Sequence, residues 1–294
     1  MINVSGSISA VNILGKEFEL NATDQFKDFE LNTVSRFDYN YDDDDSKVTI
    51  NLINQENSDS FYQQIDQSDE LLAITCIDNG STQQLKSLLS NECLVTRVIG
   101  LQGHCYNGDL ESLESDRVFR LSQMRRNIDL SEIVLRTSDV AVFNMNCIRR
   151  GDQCTYLKSN TTGFTIEEAC LISKYIGASK LINKVYFTGL NFNQDDYGMM
   201  TTNLVNLLWY FAEGLKFRAM DSEIENPENL VFSVVAEEIE KELQFVKSSS
   251  SGRWWLKVPT EKGEMHMACS HRDYEDACNN EFSDRIMKAI LTSI

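Results

Sequence analysis

The sequence predicts an α/β fold in three layers, αβα, with a mainly parallel sheet between two layers of helices. Two observations predict it. From Val48 onward, short apolar runs (48–53, 71–77, 97–101, 139–143, 184–190) alternate with amphipathic stretches (59–65, 82–89, 130–136, one running through Ile176, and 201–217). Strands alternating with helical patterns build βαβ units, which put helices over both faces of a parallel sheet. The second observation is size: 294 residues with 42% hydrophobic content suffice for a sizeable core, and one large domain is the simplest reading.

Taken in order, residues 1–47 form a divergent N-terminal segment. Phe18-Glu19-Leu20 and Phe29-Glu30-Leu31 mark short alternating strands, and Tyr39 to Ser46, with four aspartates from Asp42 to Asp45, reads as a charged loop. Closely packed like charges repel and stay solvated. The run lacks the ligand spacing and the glycine of an EF-hand, so the expectation is an exposed acidic turn. Residues 48–294 form the α/β domain, with a C-terminal tail from about 221 to 294 packed on it. Within the domain, Thr165 is placed to cap a helix with Glu168 completing a capping box, although Gly163-Phe164 allows a shifted start. That helix carries Ala169, Leu171, Ile172 and Ile176, and the longest helix covers Thr201 to Phe217.

Charge narrows the function classes. A formal net charge of -18 repels phosphate backbones and anionic lipid, so nucleic acid is not an expected partner. No apolar run reaches transmembrane length, and Met1 to Leu20 has neither a basic nor a sustained apolar leader region, so membrane insertion is not expected and a cytoplasmic location is. Eight cysteines sit mostly inside apolar patterns, as in Ala73-Ile74-Thr75-Cys76-Ile77, and no Cys-x-x-Cys pair occurs, so free buried thiols are expected. His266-x-x-Cys269-x-His271 with Cys278 imitates a zinc site, but a structural zinc needs four converging ligands and no zinc is expected.

The chemistry-bearing segment is Val140-Ala141-Val142-Phe143-Asn144-Met145-Asn146, a buried strand that delivers two asparagines to its C-terminal end. Residues i and i+2 share a face, and the carboxyl ends of parallel strands are where open α/β sheets keep ligands. Two aspartates in this arrangement would indicate a metal enzyme; asparagine keeps the shape and removes the charge.

Several segments together resemble the ureohydrolase family of arginase, agmatinase and formimidoylglutamase, with the nearest resemblance to arginase-like proteins of Bacteroidota. They are Ile99 to His104, Arg120 to Arg125, Ser138 to Asp152, Gly163 to Cys170, Thr201 to Gly214, and Lys247 to Pro259 with Arg253-Trp254-Trp255. The resemblance covers roughly Cys93 to Lys288 and extends more weakly back to Val48. It implies an αβα fold, a pair of manganese ions whose ligands would come from three motifs, and a fourth motif that contacts the substrate, all four altered here. The position of the glycine-rich histidine motif holds Ile53-Asn54-Gln55-Glu56-Asn57, and that of Asp-Ala-His-x-Asp holds Asp78-Asn79-Gly80-Ser81-Thr82. Asp-x-Asp becomes Asn144-Met145-Asn146, and the substrate-contacting Glu-x-Asn-Pro becomes Gly189-Leu190-Asn191-Phe192.

Two divalent ions 3.5 to 4 Å apart repel by roughly 15 to 20 kcal/mol at an effective dielectric near 20, and surrounding carboxylates must offset that. With Asp78 as the sole surviving carboxylate, the manganese site is expected to be lost, and metal-hydroxide hydrolysis with it. No cofactor and no catalytic residue are expected. The vestigial pocket comprises Asp78, His104, Asn144, Asn146, Arg149 and Asp152. Cys105 and Cys154 are near in sequence without a local motif that pairs them with a base. His104 reads as a packed histidine ahead of a catalytic one. Arg149 and Arg150 suit either an anion or a structural salt bridge.

The favoured expectation is an inactive family member retained as a protein-interaction or regulatory subunit, its partner an active paralogue, another copy or an unrelated assembly. The Arg253, Trp254, Trp255 cluster motivates it, since aromatics beside an arginine make interface anchors; packing of the tail against the sheet is the equal alternative. The second expectation is a small-molecule binder or unassigned hydrolase using a remodelled, metal-free crevice, which requires that crevice to be open.

Overall fold

The computed structural model describes residues 11–13, 16–18, 36–40, 47–67, 72–111, 113, 116–153, 161–191, 198–220, 224, 226–236, 241–260 and 263–292. In chain order its strands are β1 (Val11–Ile13), β2 (Lys16–Phe18), β3 (Arg36–Asn40), β4 (Lys47–Asn54), β5 (Leu72–Ile77), β6 (Leu94–Leu101), β7 (Val118–Arg120), β8 (Val140–Asn144), β9 (Lys184–Leu190), β10 (Leu230–Ala236), β11 (Lys241–Lys247), β12 (Trp254–Thr260) and β13 (Gly263–Cys269). The helices are α1 (Gln55–Asp66), α2 (Leu85–Ser90), α3 (Leu121–Arg126), α4 (Leu130–Leu135), α5 (Arg150–Gln153), α6 (Ile166–Ala178), α7 (Met199–Met220), α8 (His271–Cys278) and α9 (Asp284–Thr292).

Seven strands form the central sheet in the order β3-β4-β9-β8-β5-β6-β7. Six are parallel and β3 is an antiparallel edge. The expected three-layer α/β class is therefore present. On one face α3, α4, α6 and α7 bury Phe143, Phe187, Ile172, Leu204 and Phe211; on the other, α1 and α2 cover Ile74, Val98 and Val142. Successive β8 residues thus feed opposite cores, which is why this strand is apolar at every position through Phe143. Each such buried side chain contributes about 1.5 to 3 kcal/mol over exposure.

The N-terminus of α6 is fixed as its sequence indicates. Thr165 accepts a hydrogen bond from the Glu168 N–H, and the Glu168 carboxylate accepts one from the Thr165 N–H. At the other end the buried Arg218 of α7 donates to the carbonyls of Ile176, Gly177 and Ile182, a cation placed on the negative end of α6. These helices meet backbone to backbone. A Cβ on Gly177 would lie 2.1 Å from the Phe211 carbonyl, and one on Gly214 would lie 2.0 Å from that of Lys174.

The C-terminal part has a fold of its own. Strands β10 to β13 form a four-stranded antiparallel meander with α8 and α9 over one face, and this unit has its own core of Phe245, Leu256, Val258, Cys269 and Ile286. The alternation of Phe232, Val234 and Ala236 with Val231, Ser233 and Val235 points one set inward and leaves the other facing out.

Other boundaries move. Helix α1 starts at Gln55 directly after β4, earlier than the expected Asp59, because the polar first turn adds nothing to apolar periodicity. Tyr39, expected in a loop, ends in β3, while Asp42 to Asp45 and the expected strand at Phe29 lie outside the described residues. No helix among the described residues is long and apolar enough to cross a membrane.

Candidate functional site: an amide-lined crevice

The C-terminal ends of β4, β5, β8 and β9 converge on an open crevice of about 470 Å³. Sheet order turns back here: β5 continues to β6 on one side, while the chain later returns through β8 and β9 on the other, which is where α/β sheets hold ligands. The walls come from the first turns of α1 (Gln55, Ser58, Asp59, Tyr62), the loop after β5 (Asn79, Ser81, Thr82, Gln83), Asn144 at the end of β8, Asn146 and Gly189 of β9. The strand therefore delivers one asparagine and not the expected two: Asn146 lies in a 3-10 turn over Met145–Cys147, which Asn144 caps by accepting the Asn146 N–H.

Beneath it lies Asp78, fully buried. One carboxylate oxygen accepts the Gly80 N–H at 2.6 Å; the other accepts the Thr82 hydroxyl at 2.6 Å and the Asn144 amide Nδ2 at 2.7 Å. Asn144 Nδ2 also reaches the Thr82 hydroxyl at 2.9 Å, and its Oδ1 accepts the Asn146 N–H at 3.0 Å. Asn79 repeats the pattern, donating to the Asn146 carbonyl and accepting from the Ser81 N–H, each at 2.9 Å. Burial raises the Asp78 pKa, opposed by the bonds from Thr82, Asn144 and Gly80. Burial likewise pushes the Tyr62 hydroxyl well above its ordinary value, with the nearby Asp78 charge adding to it.

Gly189 completes the floor with φ of +73°, a conformation that favours glycine. A Cβ there would sit 2.6 Å from Asn144 Oδ1 and 3.0 Å from Asn146 Nδ2. Absence of a side chain at 189 keeps the floor open.

These donors do not fit a two-ion centre. Both Asp78 oxygens are engaged, and Asn144 presents to one of them an amide N–H, a donor that cannot ligate a cation. Among the described residues no three His, Cys, Asp or Glu side chains are placed to hold a metal.

The structure brings together Asp78, Asn144 and Asn146 and leaves the other expected pocket residues outside the crevice lining. His104, expected to be packed, is exposed in the turn after β6, because the strand ends at Leu101 and the chain turns outward there. Arg149 and Asp152 form an ion pair at 2.9 Å, and Asp152 also accepts the Ile166 N–H at the start of α6, so this pair braces a helix end. Cys105 is half-buried, and Cys154 lies outside the described residues. Ser58, Asp59, Tyr62 and Gln83 are not singled out by the sequence; for Ser58 and Asp59 the signal is position, since the opening residues of a helix entered directly from a parallel strand lie near the strand ends, while Tyr62, deeper in α1, and Gln83, in the loop after β5, carry no local signal.

The remaining candidates serve structure. The seven described cysteines are free; burial raises Cys76 and Cys147, and lifts Cys170 to about 11 and Cys269 to about 12. His266 and Cys269 point to opposite faces of β13, while His271 and Cys278 stand exposed at opposite ends of α8, so the zinc-like spacing does not converge. Trp254 and Trp255, expected as interface anchors, are 6% and 8% exposed. Trp254 stacks with Phe232 and Tyr274, and Trp255 lies under the Arg136 guanidinium at 5.0 Å. Arg253 pairs with Glu132 of α4 at 3.1 Å, and Arg136 donates to the Trp254 and Cys269 carbonyls. The cluster joins the C-terminal sheet to the αβα layers inside the chain, which is the tail-packing alternative.

No protein-family model and no curated protein matches the chain. Solved structures do. It is similar to formiminoglutamase of Trypanosoma cruzi, solved with Mn2+, at 14% identity and a TM-score of 0.47 over 57% of this chain and 66% of that one. It is similar to formimidoylglutamase from Bacillus subtilis at 14% and 0.44, over 57% of this chain and 61% of that one. Agmatine ureohydrolase of Thermoplasma volcanium gives 12% and 0.43, over 59% and 64%. The chain thus spans less than two-thirds of the length of each of these structures.

Proposed function

We propose that this chain is a ureohydrolase-like protein without the metal-dependent hydrolysis, and that its crevice binds a small molecule non-covalently. One observation carries the proposal: Asn144 Nδ2 donates to Asp78 at 2.7 Å in a crevice that stays open at about 470 Å³. A metal-hydroxide nucleophile at neutral pH requires a bound ion. Here the neutral Asn144 amide N–H, with the Thr82 hydroxyl and the Gly80 N–H, takes the Asp78 lone pairs that an ion would use, so a cation could enter only by displacing those hydrogen bonds. The openness favours retention of ligand binding, since preformed concave sites of roughly 300 to 1,000 Å³ suit small molecules.

The test is metal analysis of the purified chain after equilibration with Mn2+, together with assays for urea release from arginine and agmatine and formamide release from N-formimidoylglutamate. Substoichiometric manganese and no turnover are expected. About two ions per chain with turnover of any of the three would overturn the proposal.

A second reading, an interaction or regulatory subunit, is favoured by β10. This strand is an edge of the C-terminal sheet, contains no charged residue and no proline, and exposes Leu230, Val231 and Val235, the last at 70%. Uncharged apolar edges are templates for pairing with another chain. Size-exclusion chromatography with light scattering, and affinity capture from the source cells, test it; a monomer that captures nothing counts against it.

A further inference from the structure

We propose that the crevice takes a small neutral polyol, a monosaccharide-sized compound with adjacent hydroxyls; this rests on the binding reading above and names its ligand class. The polar groups form two tiers. In the inner tier, Asp78, Asn79, Thr82 and Asn144 use their hydrogen-bonding capacity on one another and on the backbone. In the outer tier, the side-chain amides of Gln55, Gln83 and Asn146 border the same space and make no hydrogen bond among the described residues. The inner tier holds the strand ends rigid, and the outer tier is free to bind.

Three carboxamides offer donors and acceptors side by side, each with two N–H groups and one carbonyl oxygen. A hydroxyl is likewise donor and acceptor, so a pair of adjacent hydroxyls satisfies both ends of one carboxamide. Other ligand classes meet a missing partner. No Lys, Arg or His borders the crevice among the described residues, so a phosphate or carboxylate would lose hydration without a counter-charge. Among the described residues Asp59 is the one carboxylate exposed in the walls, and solvent screens its hold on a cation. A flat heterocycle needs an aromatic face, but Tyr62, the single ring in the walls among the described residues, is 1% exposed and packs on Phe61.

Saturation-transfer NMR on the full chain tests this with myo-inositol and D-glucose as neutral polyols, D-glucose 6-phosphate as anion, agmatine as cation and uracil as planar amide. Saturation of the two polyols is expected, with affinity about tenfold weaker in Asn146→Leu with Gln83→Leu, which together remove two or more hydrogen bonds. Gln244→Leu on the C-terminal sheet serves as control and should bind as the wild type does. Gln83 is exposed, so Gln83→Leu alone gives a folded variant if the double one is not. Preference for the phosphate, agmatine or uracil overturns the polyol assignment and leaves the crevice as a binding site. Binding unchanged in the folded variants places the polyol elsewhere and overturns the assignment. Saturation of no probe overturns the binding reading itself.

Discussion

Restoring the charge at position 144 measures what the Asn144–Asp78 hydrogen bond does. In Asn144→Asp, two carboxylates would face each other at the 2.7 Å now spanned by a hydrogen bond, one of them the fully buried Asp78. Both ionised, they would repel by about 6 kcal/mol at an effective dielectric of about 20. The folded chain has a less costly alternative, which is to bind one proton and let the new O–H donate to the neighbouring carboxylate. Holding a proton at pH 7 on a group with an unfolded pKa of about 3.9 costs about 4 kcal/mol, at about 1.4 kcal/mol per unit. Destabilisation relative to wild type is therefore about 4 kcal/mol at pH 7 and falls to about 1.5 kcal/mol at pH 5. The sign follows from proton counting: the folded pair has a raised pKa and binds more protons than the unfolded chain, so its stability is highest at acid pH and declines as pH rises. Urea denaturation of both proteins from pH 5 to 8 reads the difference directly. A deficit that does not change with pH, or no deficit, refutes the buried contact with Asp78.

Three further outcomes follow from the same structure. Gly189→Ala must place a Cβ at φ +73° and 2.6 Å from Asn144 Oδ1, so a loss of about 1 to 3 kcal/mol in urea stability is expected, and an unchanged midpoint would count against the close floor. Glu132→Ala leaves Arg253 and Arg136 largely buried without their carboxylate, at a cost of about 3 kcal/mol, and should alter the near-ultraviolet circular dichroism of Trp254 and Trp255; an unaltered spectrum would mean that the seam is held by other contacts. Thr165→Ala removes one half of the α6 capping box and should cost about 1 kcal/mol, whereas Thr165→Ser should restore most of it.

Legibility in the sequence followed the range of the interactions. Strand β9 has the bounds that its apolar run suggests, and the α6 cap is set by residues three apart, so both could be read locally. Of the asparagine pair, Asn144 was legible as a strand end; Asn146 was not, because the chain leaves the strand for a 3-10 turn over Met145–Cys147, where a two-residue period no longer applies. Saturation was not legible, since Asn79 is matched by a carbonyl from another strand end and Asn144 by a carboxylate 66 residues away. The C-terminal meander escaped for a related reason. Its strands alternate in sequence, but only pairing such as Val246 opposite Trp255 decides that both faces near that point are covered. An Arg-Trp-Trp cluster looks the same whether its wall belongs to another chain or, as here, to α4 of its own.

The glycine contact between α6 and α7 has a consequence for the crevice far from it. Most helix pairs are separated by side chains that can rearrange to absorb an error, and this pair has none at Gly177 and Gly214. A methyl group at either position must displace a whole helix. Arg218, moving with α7, holds the Ile182 carbonyl, which lies two residues before β9, and β9 ends at the crevice through Gly189. Damage at a site that touches no ligand would therefore be read at the ligand: Gly177 and Gly214 set the position of the crevice floor as surely as the residues that line it.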